Sequence, residues 1–331
     1  MKHIIKNYNQ LATTEKRNHA LEIIEAGLRA IDTEVAIRNA ITISDNELTI
    51  GGKIYDLLEF EHIYVLGFGK VSCTAAYTIE TLLEGRVKDG AVIGVKYKVC
   101  DTISTYTGTH PLPSKTNYDA TKQIADIAQR ASENDLVIVS VSGGGSALLC
   151  SSMSECEQGT KLFSSFLQSG GTIEELNLVR KHISSLKGGG LAKALYPATV
   201  VSLIFSDVPG GDLSSVASGP TFYDKSTVND ARDLIAKYNL GEFDLVETPK
   251  NSKYFEKINN VQVVSNDIAL DAMKNYAHQL GYNAEILSNK LYGTTDEVAQ
   301  LLAKNSKPNS VLLIGGETKL TIPDNCTGKG G

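Results

Sequence analysis

Ser142-Gly143-Gly144-Gly145-Ser146 is the stretch whose residue types point most directly to chemistry. It closes the β-branched run LVIVSVS. Three consecutive glycines are costly in backbone entropy, and a plain turn does not need them. Flanking serine hydroxyls and exposed N–H groups would make a nest for an oxyanion. A nucleophilic serine is a competing chemistry, but the G-x-S-x-G order is not met and no partner base is evident. The plain alternative is a loop that needs glycine for packing.

Four further stretches could act beside it. GFGKVSCTAA, residues 67–76, lies between a strand and a helix, where parallel sheets bind ligands. Lys70 adds a mobile positive charge there, although the third glycine of a dinucleotide fingerprint is absent. The plain reading is a tight turn with an exposed lysine. NLVRKHISSLKGGGLAKAL, residues 177–195, concentrates Arg180, Lys181, His182 and Lys187 before a second triple glycine. Arg180 and Lys187 share one face if the helix continues that far. A guanidinium suits a carboxylate or a phosphate, and a solvated basic face is the bland alternative. FSDVPGGDLSSVASGPT, residues 205–221, supplies Asp207 and Asp212. Carboxylates beside a phosphate cradle suit Mg²⁺ or a general base, whereas Asx turns would also explain both aspartates. GGETKLTIPDNCTGKGG, residues 315–331, carries Glu317 and Lys329, or is a hairpin with a frayed tail.

The elements that must hold these residues alternate. Residues 15–40 have helical periodicity, and LTI-GG-KIYDL reads as a hairpin. From residue 62 the pattern is strand, turn, helix. Strands are expected in HIYVLG, AVIGVKY, ISTYTG, LVIVSVS and VVSLIFS. Helices are expected in VSCTAAYTIETLL and over 116–131, 155–168, 172–185 and 187–196. A linker near residue 250 precedes VQVVSN, AEILS and SVLLIGG as strands, TKLTI as an edge strand, and two further helices. This alternation predicts parallel sheets with helices on their faces.

The bulk numbers bound the rest. A chain of 331 residues suggests two domains. With 42% apolar and 21% charged residues it has ordinary globular composition. A net charge of −6 offers no broad basic face for nucleic acid or membrane. No apolar leader or membrane span is legible, so a cytoplasmic protein is expected. Five scattered cysteines without C-x-x-C predict reduced, core-filling thiols.

Taken in order, GFGK, GTHPLP, SGGGSALL, LNLVRKHISSLKGGGLA, SDVPGGDLSSVASGPT, SNDIALDA and GGETKLTI with GKGG resemble the glycerate 2-kinase family, whose C-terminal part is called the MOFRL domain. The resemblance runs from about residue 17 to the end. It implies ATP-dependent, Mg²⁺-assisted phosphorylation of D-glycerate to 2-phosphoglycerate. It also implies an α/β fold of two domains, 1–250 and 251–331, with parallel-rich Rossmann-like sheets and the active site in the interdomain cleft. By motif, Lys70, Arg180 and Asp207 would be catalytic. His110, Ser142, Gly143, Gly144, Gly145, Ser146, Lys187, Glu317 and Lys329 would bind substrate or phosphate. Asp207 and Asp212 would hold the metal. The implied partners are glycerate and ATP, and a homodimer is compatible with the family. Some members were once named hydroxypyruvate reductases, which keeps a dinucleotide-dependent reductase as an alternative. In the family GKGG continues into an Arg-Asn-Gln-Glu stretch, whereas this sequence stops at Gly331. A second domain incomplete at its C-terminal end is therefore expected. So is the alternative of an incompetent fragment, or of a subunit needing a separately encoded piece.

Overall fold

Alternating apolar runs and amphipathic stretches fold here into a doubly wound sheet and a smaller α/β unit. The computed structural model describes residues 3–167, 169–208 and 210–318. Its helices and strands run α1 (Tyr8–Leu11), α2 (Glu15–Ala30), α3 (Thr33–Ala40), β1 (Ile41–Ser44), β2 (Glu47–Ile50), β3 (Lys53–Asp56), β4 (His62–Phe68), α4 (Ser72–Leu83), β5 (Val87–Gly94), β6 (Ile103–Thr107), α5 (Lys115–Arg130), β7 (Asp135–Ser142), α6 (Gly145–Leu148), α7 (Met153–Leu167), α8 (Ile173–His182), α9 (Gly190–Leu195), β8 (Thr199–Phe205), α10 (Val228–Lys237), β9 (Ile258–Val264), α11 (Asn266–Gln279), β10 (Asn283–Leu291), α12 (Thr295–Asn305) and β11 (Ser310–Gly316). Among the described residues no helix is long and apolar enough to cross a membrane.

The larger unit comprises residues 33–208 and 212–264. Its sheet has the order β6-β5-β4-β7-β8-β9, with every pair parallel. The order reverses between β4 and β7. Such a switch point leaves a crevice at the carboxyl ends of the strands, where doubly wound folds bind their ligands. β7 is buried along its whole length, and its apolar stretch Leu136–Val139 suits a central parallel strand. One face of the sheet packs Val65, Ile138 and Leu203 with α4 residues such as Ile79. The other packs Leu66, Val139 and Ile204 with Ile124 of α5 and Leu191 of α9. β1, β2 and β3 form an antiparallel sheet in the same unit. The expected glycine-paired hairpin is its β2–β3 half.

The smaller unit comprises residues 1–32, 209–211 and 265–331. Parallel β10 and β11 form its sheet, and Ile23 of α2, Leu270 and Ala277 of α11, Ala284 and Leu313 form its core.

Three expectations change. The division at 250/251 falls ahead of β9, which pairs with β8 and completes the large sheet, so the larger unit runs on to Val264. The helical stretch 15–40 is two helices, because Ile31 leaves helical backbone angles. Residues 1–32 then group with the smaller unit. Cys150 and Cys156 are disulfide-bonded rather than reduced, since the loop after α6 turns back and brings the first turn of α7 beside it. Cys73 and Cys100 are free, and burial pushes their thiols up to about 11 and about 12. Cys326 and the part of the expected strand TKLTI beyond Thr318 lie outside the described residues.

Candidate active site at the switch point of the large sheet

β4 and β7 are neighbours in register, with Phe68 opposite Val141, so the turns that follow them emerge side by side. The backbone N–H of Lys70 donates to the Gly143 carbonyl at 2.9 Å, and Ser142 Oγ accepts from the Val71 N–H at 3.3 Å. The first two motifs singled out in the sequence are therefore one structure. Ser142 itself is buried and serves as this brace.

The glycines of the turn are required by what stands over it. A Cβ on Gly143 would collide with the carboxylate of Asp207, which follows β8. Gly144 has φ of +81°, and a Cβ there would lie 3.0 Å from the His110 ring and 3.2 Å from Lys70 Cγ. The N–H groups of Gly143 and Gly144 have no hydrogen-bond partner among the described residues. Gly143, Gly144, His110, Arg180 and Asp207 line one cavity of ≈ 380 Å³.

Lys70 and Asp207 are exposed, and neither side chain has a hydrogen bond or ion pair among the described residues. Arg180 is half-buried. Its guanidinium donates to Asn177 Oδ1 at 3.3 Å and lies 5.9 Å from the Phe163 ring centroid, with no carboxylate partner among the described residues. Desolvation pulls its pKa down to about 10, so it remains a cation at neutral pH. Partial desolvation lowers the His110 imidazole below its ordinary value, and the charges of Lys70 and Arg180 push it the same way. A desolvated guanidinium without a counter-charge favours an anionic ligand.

α8 presents Arg180 through its register. A Thr172–Glu175 capping box starts the helix. Leu176, Val179 and Ile183 turn into a small apolar cluster with Leu162 and Phe166. Asn177 and Arg180, three residues apart, share the face that lines the cavity.

Other predicted residues fare differently. α8 ends at His182, so Lys187 does not share the Arg180 face. The backbone turns there because the Ser184 hydroxyl accepts from the N–H groups of Leu186 and Lys187. Lys187 is 3% exposed; its ammonium donates to the Leu149 carbonyl at 2.6 Å and pairs with Glu155. Asp212 caps the 3-10 turn 213–218, accepting from Ser214 N at 3.0 Å, Ser214 Oγ at 2.7 Å and Ser215 Oγ at 2.9 Å. Desolvation raises its pKa, but these hydrogen bonds prevail and hold it below the usual carboxylate value. Glu317 follows β11 in the smaller unit and is exposed. Lys329 lies outside the described residues.

Sequence reasoning missed Ser218 and Asn177. Ser146 Oγ and Ser218 Oγ are 2.9 Å apart, and Ser218 Oγ donates to Asn177 Oδ1 at 3.2 Å. Ser218 lies within the motif SDVPGGDLSSVASGPT, yet nothing in its type distinguishes it from its serine neighbours.

A family model described as a domain of unknown function, DUF4147, matches residues 19–247. A glycerate 2-kinase of Pyrococcus horikoshii is 33% identical over 348 aligned positions, covering 95% of this chain and 76% of the relative. A protein of Agrobacterium vitis named a putative hydroxypyruvate reductase is 33% identical over 288 positions, covering 81% and 74%. The crystal structure of a glycerate kinase from Thermotoga maritima superposes with a TM-score of 0.81 at 28% identity, covering 94% of this chain and 76% of that one. A doubly wound sheet with glycine-rich turns at its switch point, a match over residues 19–247 and these relatives together place the chain in the glycerate 2-kinase family.

Proposed function

We propose that this chain is a glycerate 2-kinase that transfers the γ-phosphoryl group of ATP to the 2-hydroxyl of D-glycerate. The observation that carries the reading is the cavity where the Gly143–Gly144 turn meets Arg180, His110 and Asp207, whose carboxylate has no partner among the described residues, with Lys70 against the same turn. Phosphoryl transfer asks little covalent chemistry of the protein and much positioning and charge stabilisation. The turn and Lys70 cradle phosphate oxygens. Arg180 neutralises charge on the transferring group or on the glycerate carboxylate. Asp207 accepts the proton of the 2-hydroxyl as its oxygen bonds to phosphorus and the bond to the ADP oxygen breaks. His110 stays neutral at the edge of the cavity and offers a hydrogen bond without adding charge.

Mg²⁺ fits the donor set in a limited way. No group of three or more His, Cys, Asp or Glu side chains suited to a metal occurs among the described residues. Mg²⁺ typically needs only one or two carboxylates besides substrate phosphates. Asp207 has free oxygens for that, whereas those of Asp212 are taken by Ser214 and Ser215. When bound, the ion would neutralise phosphate charge. ATP as phosphoryl donor, Mg²⁺ as its companion and a cytoplasmic setting belong to this same reading.

The test couples ATP, Mg²⁺ and D-glycerate to enolase, with and without phosphoglycerate mutase. Enolase consumes 2-phosphoglycerate directly, so signal without mutase is expected. Signal only after mutase addition refutes 2-phosphorylation. A folded chain that turns over no ATP on any hydroxy acid but oxidises NADH or NADPH with hydroxypyruvate overturns the kinase reading in favour of a reductase.

A further inference from the structure

The second triple glycine, Gly188–Gly190, spends its N–H groups on backbone carbonyls. Gly188 N–H donates to the Ser218 carbonyl at 2.9 Å, Gly189 N–H to the Gly219 carbonyl at 2.9 Å, and Gly190 N–H to the Lys187 carbonyl at 2.9 Å. Ala192 N–H adds a bond to the Pro220 carbonyl at 3.1 Å. The run thus grips the backbone of residues 218–220. That backbone is held in an uncommon shape, with φ of +52° at Ala217 and +61° at Ser218. Neither residue is glycine, and two successive left-handed residues of this kind persist only where their surroundings fix them.

The consequence is the aim of one hydroxyl. Ser218 is fully buried, and its Oγ meets Ser146 Oγ at 2.9 Å and Asn177 Oδ1 at 3.2 Å. The same Asn177 oxygen accepts from Arg180 Nη1 at 3.3 Å. Ser146, Asn177 and Arg180 all line the cavity. A continuous chain of hydrogen bonds therefore links the end of the first glycine turn to the Arg180 guanidinium, which has no carboxylate partner among the described residues.

We propose that Ser218 is a positioning residue: held by the Gly188–Gly190 clamp, it locks Asn177 and so fixes the orientation of Arg180 relative to the Ser146 end of the phosphate turn. The proposal rests on the assignment of Arg180 as an anion-binding group. The Ser218–Asn177 link is buried, and a satisfied buried polar link favours a single geometry, so its loss frees the groups beyond it. Ser218 touches neither substrate nor phosphate. Its effect passes through Arg180.

The experiment is a double-mutant cycle on the full chain. Ser218→Gly removes the hydroxyl and suits the positive φ, so it tests the link without adding backbone strain. Arg180→Ala, Ser218→Gly and the double variant are titrated with inorganic phosphate and, separately, with D-glycerate. These readouts do not depend on turnover, so an inactive wild type would overturn the kinase reading and leave this test intact. Ser218→Gly is expected to weaken, by roughly tenfold, whichever anion depends on Arg180, the size expected when one hydrogen bond to a charged group is lost. In the Arg180→Ala background the same change should add nothing, because the path ends at Arg180. Where wild type turns over, KM for that ligand should rise more than kcat falls. Asn177→Ala provides a second cut of the same chain, should Ser218→Gly unfold. Additive losses in the cycle overturn the proposal. So does wild-type affinity in a folded Ser218→Gly, and so does anion binding indifferent to Arg180.

Discussion

Gly143–Gly145 and Gly188–Gly190 are the same three letters, each preceding a short helix, and the molecule uses them in opposite ways. At the first run the N–H groups of Gly143 and Gly144 have no partner among the described residues, and Arg180 and Asp207, without ion pairs among those residues, stand around it. At the second every N–H is taken by a carbonyl. The charged residue beside each run repeats the contrast. Lys70 is exposed beside the first run, whereas Lys187 is buried against Glu155 at the start of the second. The same holds for the two aspartates that follow β8, one open and one bound as a cap. Sequence type predicts what a residue could do, and its partners decide whether it is free to do so.

The sharpest way to break this contrast is to remove the two cations. Lys187→Ala leaves a buried, unpaired Glu155 and is expected to cost about 3–5 kcal/mol in a urea denaturation. Arg180→Ala leaves no orphaned carboxylate among the described residues and should move the urea midpoint far less. Equal destabilisation would mean that Arg180 too is structural. Lys70→Ala is next. Losing one charge-stabilising donor is expected to lower kcat/KM by about 10²–10³ in the enolase-coupled assay, with little change in melting temperature. Loss of stability in proportion to activity would return Lys70 to the role of a turn residue.

The glycines themselves come third. A Cβ on Gly143 meets the movable tip of Asp207, so Gly143→Ala should displace that carboxylate and cut turnover while the fold survives. A Cβ on Gly190 meets the backbone carbonyl of Ser185, which cannot step aside. Gly190→Ala should therefore lower the yield of folded protein and its melting temperature. Reversed outcomes would exchange the roles of the two runs. Asp212→Ala should cost about 1 kcal/mol of stability as a lost cap and leave turnover nearly intact, while Asp207→Asn should do the opposite.

The smallest effect concerns His110. Its folded pKa is lowered, so near and below an ordinary imidazole value of about 6.5 the unfolded chain binds more protons than the folded one. Stability should fall as pH drops through that value, until the folded imidazole is protonated as well. His110→Gln should flatten that part of a melting-temperature profile, and an unchanged profile would remove His110 from the charged cluster.

Much of the architecture was legible because periodicity is local. LVIVSVS reads as a buried strand by its β-branched content, and alternating helices and strands imply a parallel sheet. The turns GFGK and SGGGS stood out because glycines at the ends of strands let the backbone approach a ligand, although glycine number alone did not separate SGGGS from the structural run Gly188–Gly190. The division into units was less legible. β9 looks like the first strand of a second domain in sequence, yet it pairs with β8 in the large sheet. The Cys150–Cys156 bond was not legible either, because spacing alone says nothing of two sulfurs meeting across a turn.

The sequence by itself determined that the chain is α/β, that glycine turns follow its strands, and that cations and carboxylates lie near those turns. Backbone propensity and side-chain chemistry are local properties, and they survive without a fold. Only the tertiary structure decided which of the paired candidates is free. It put Asp207 over Gly143 and buried Lys187 on Glu155. It also routed Gly188 to Ser218 and Ser218 to Asn177. Lys187 finds its carboxylate 32 residues away in the chain, and Ser218 finds Asn177 41 residues away. Desolvation and hydrogen bonding act on what is near in space, and sequence order does not disclose that.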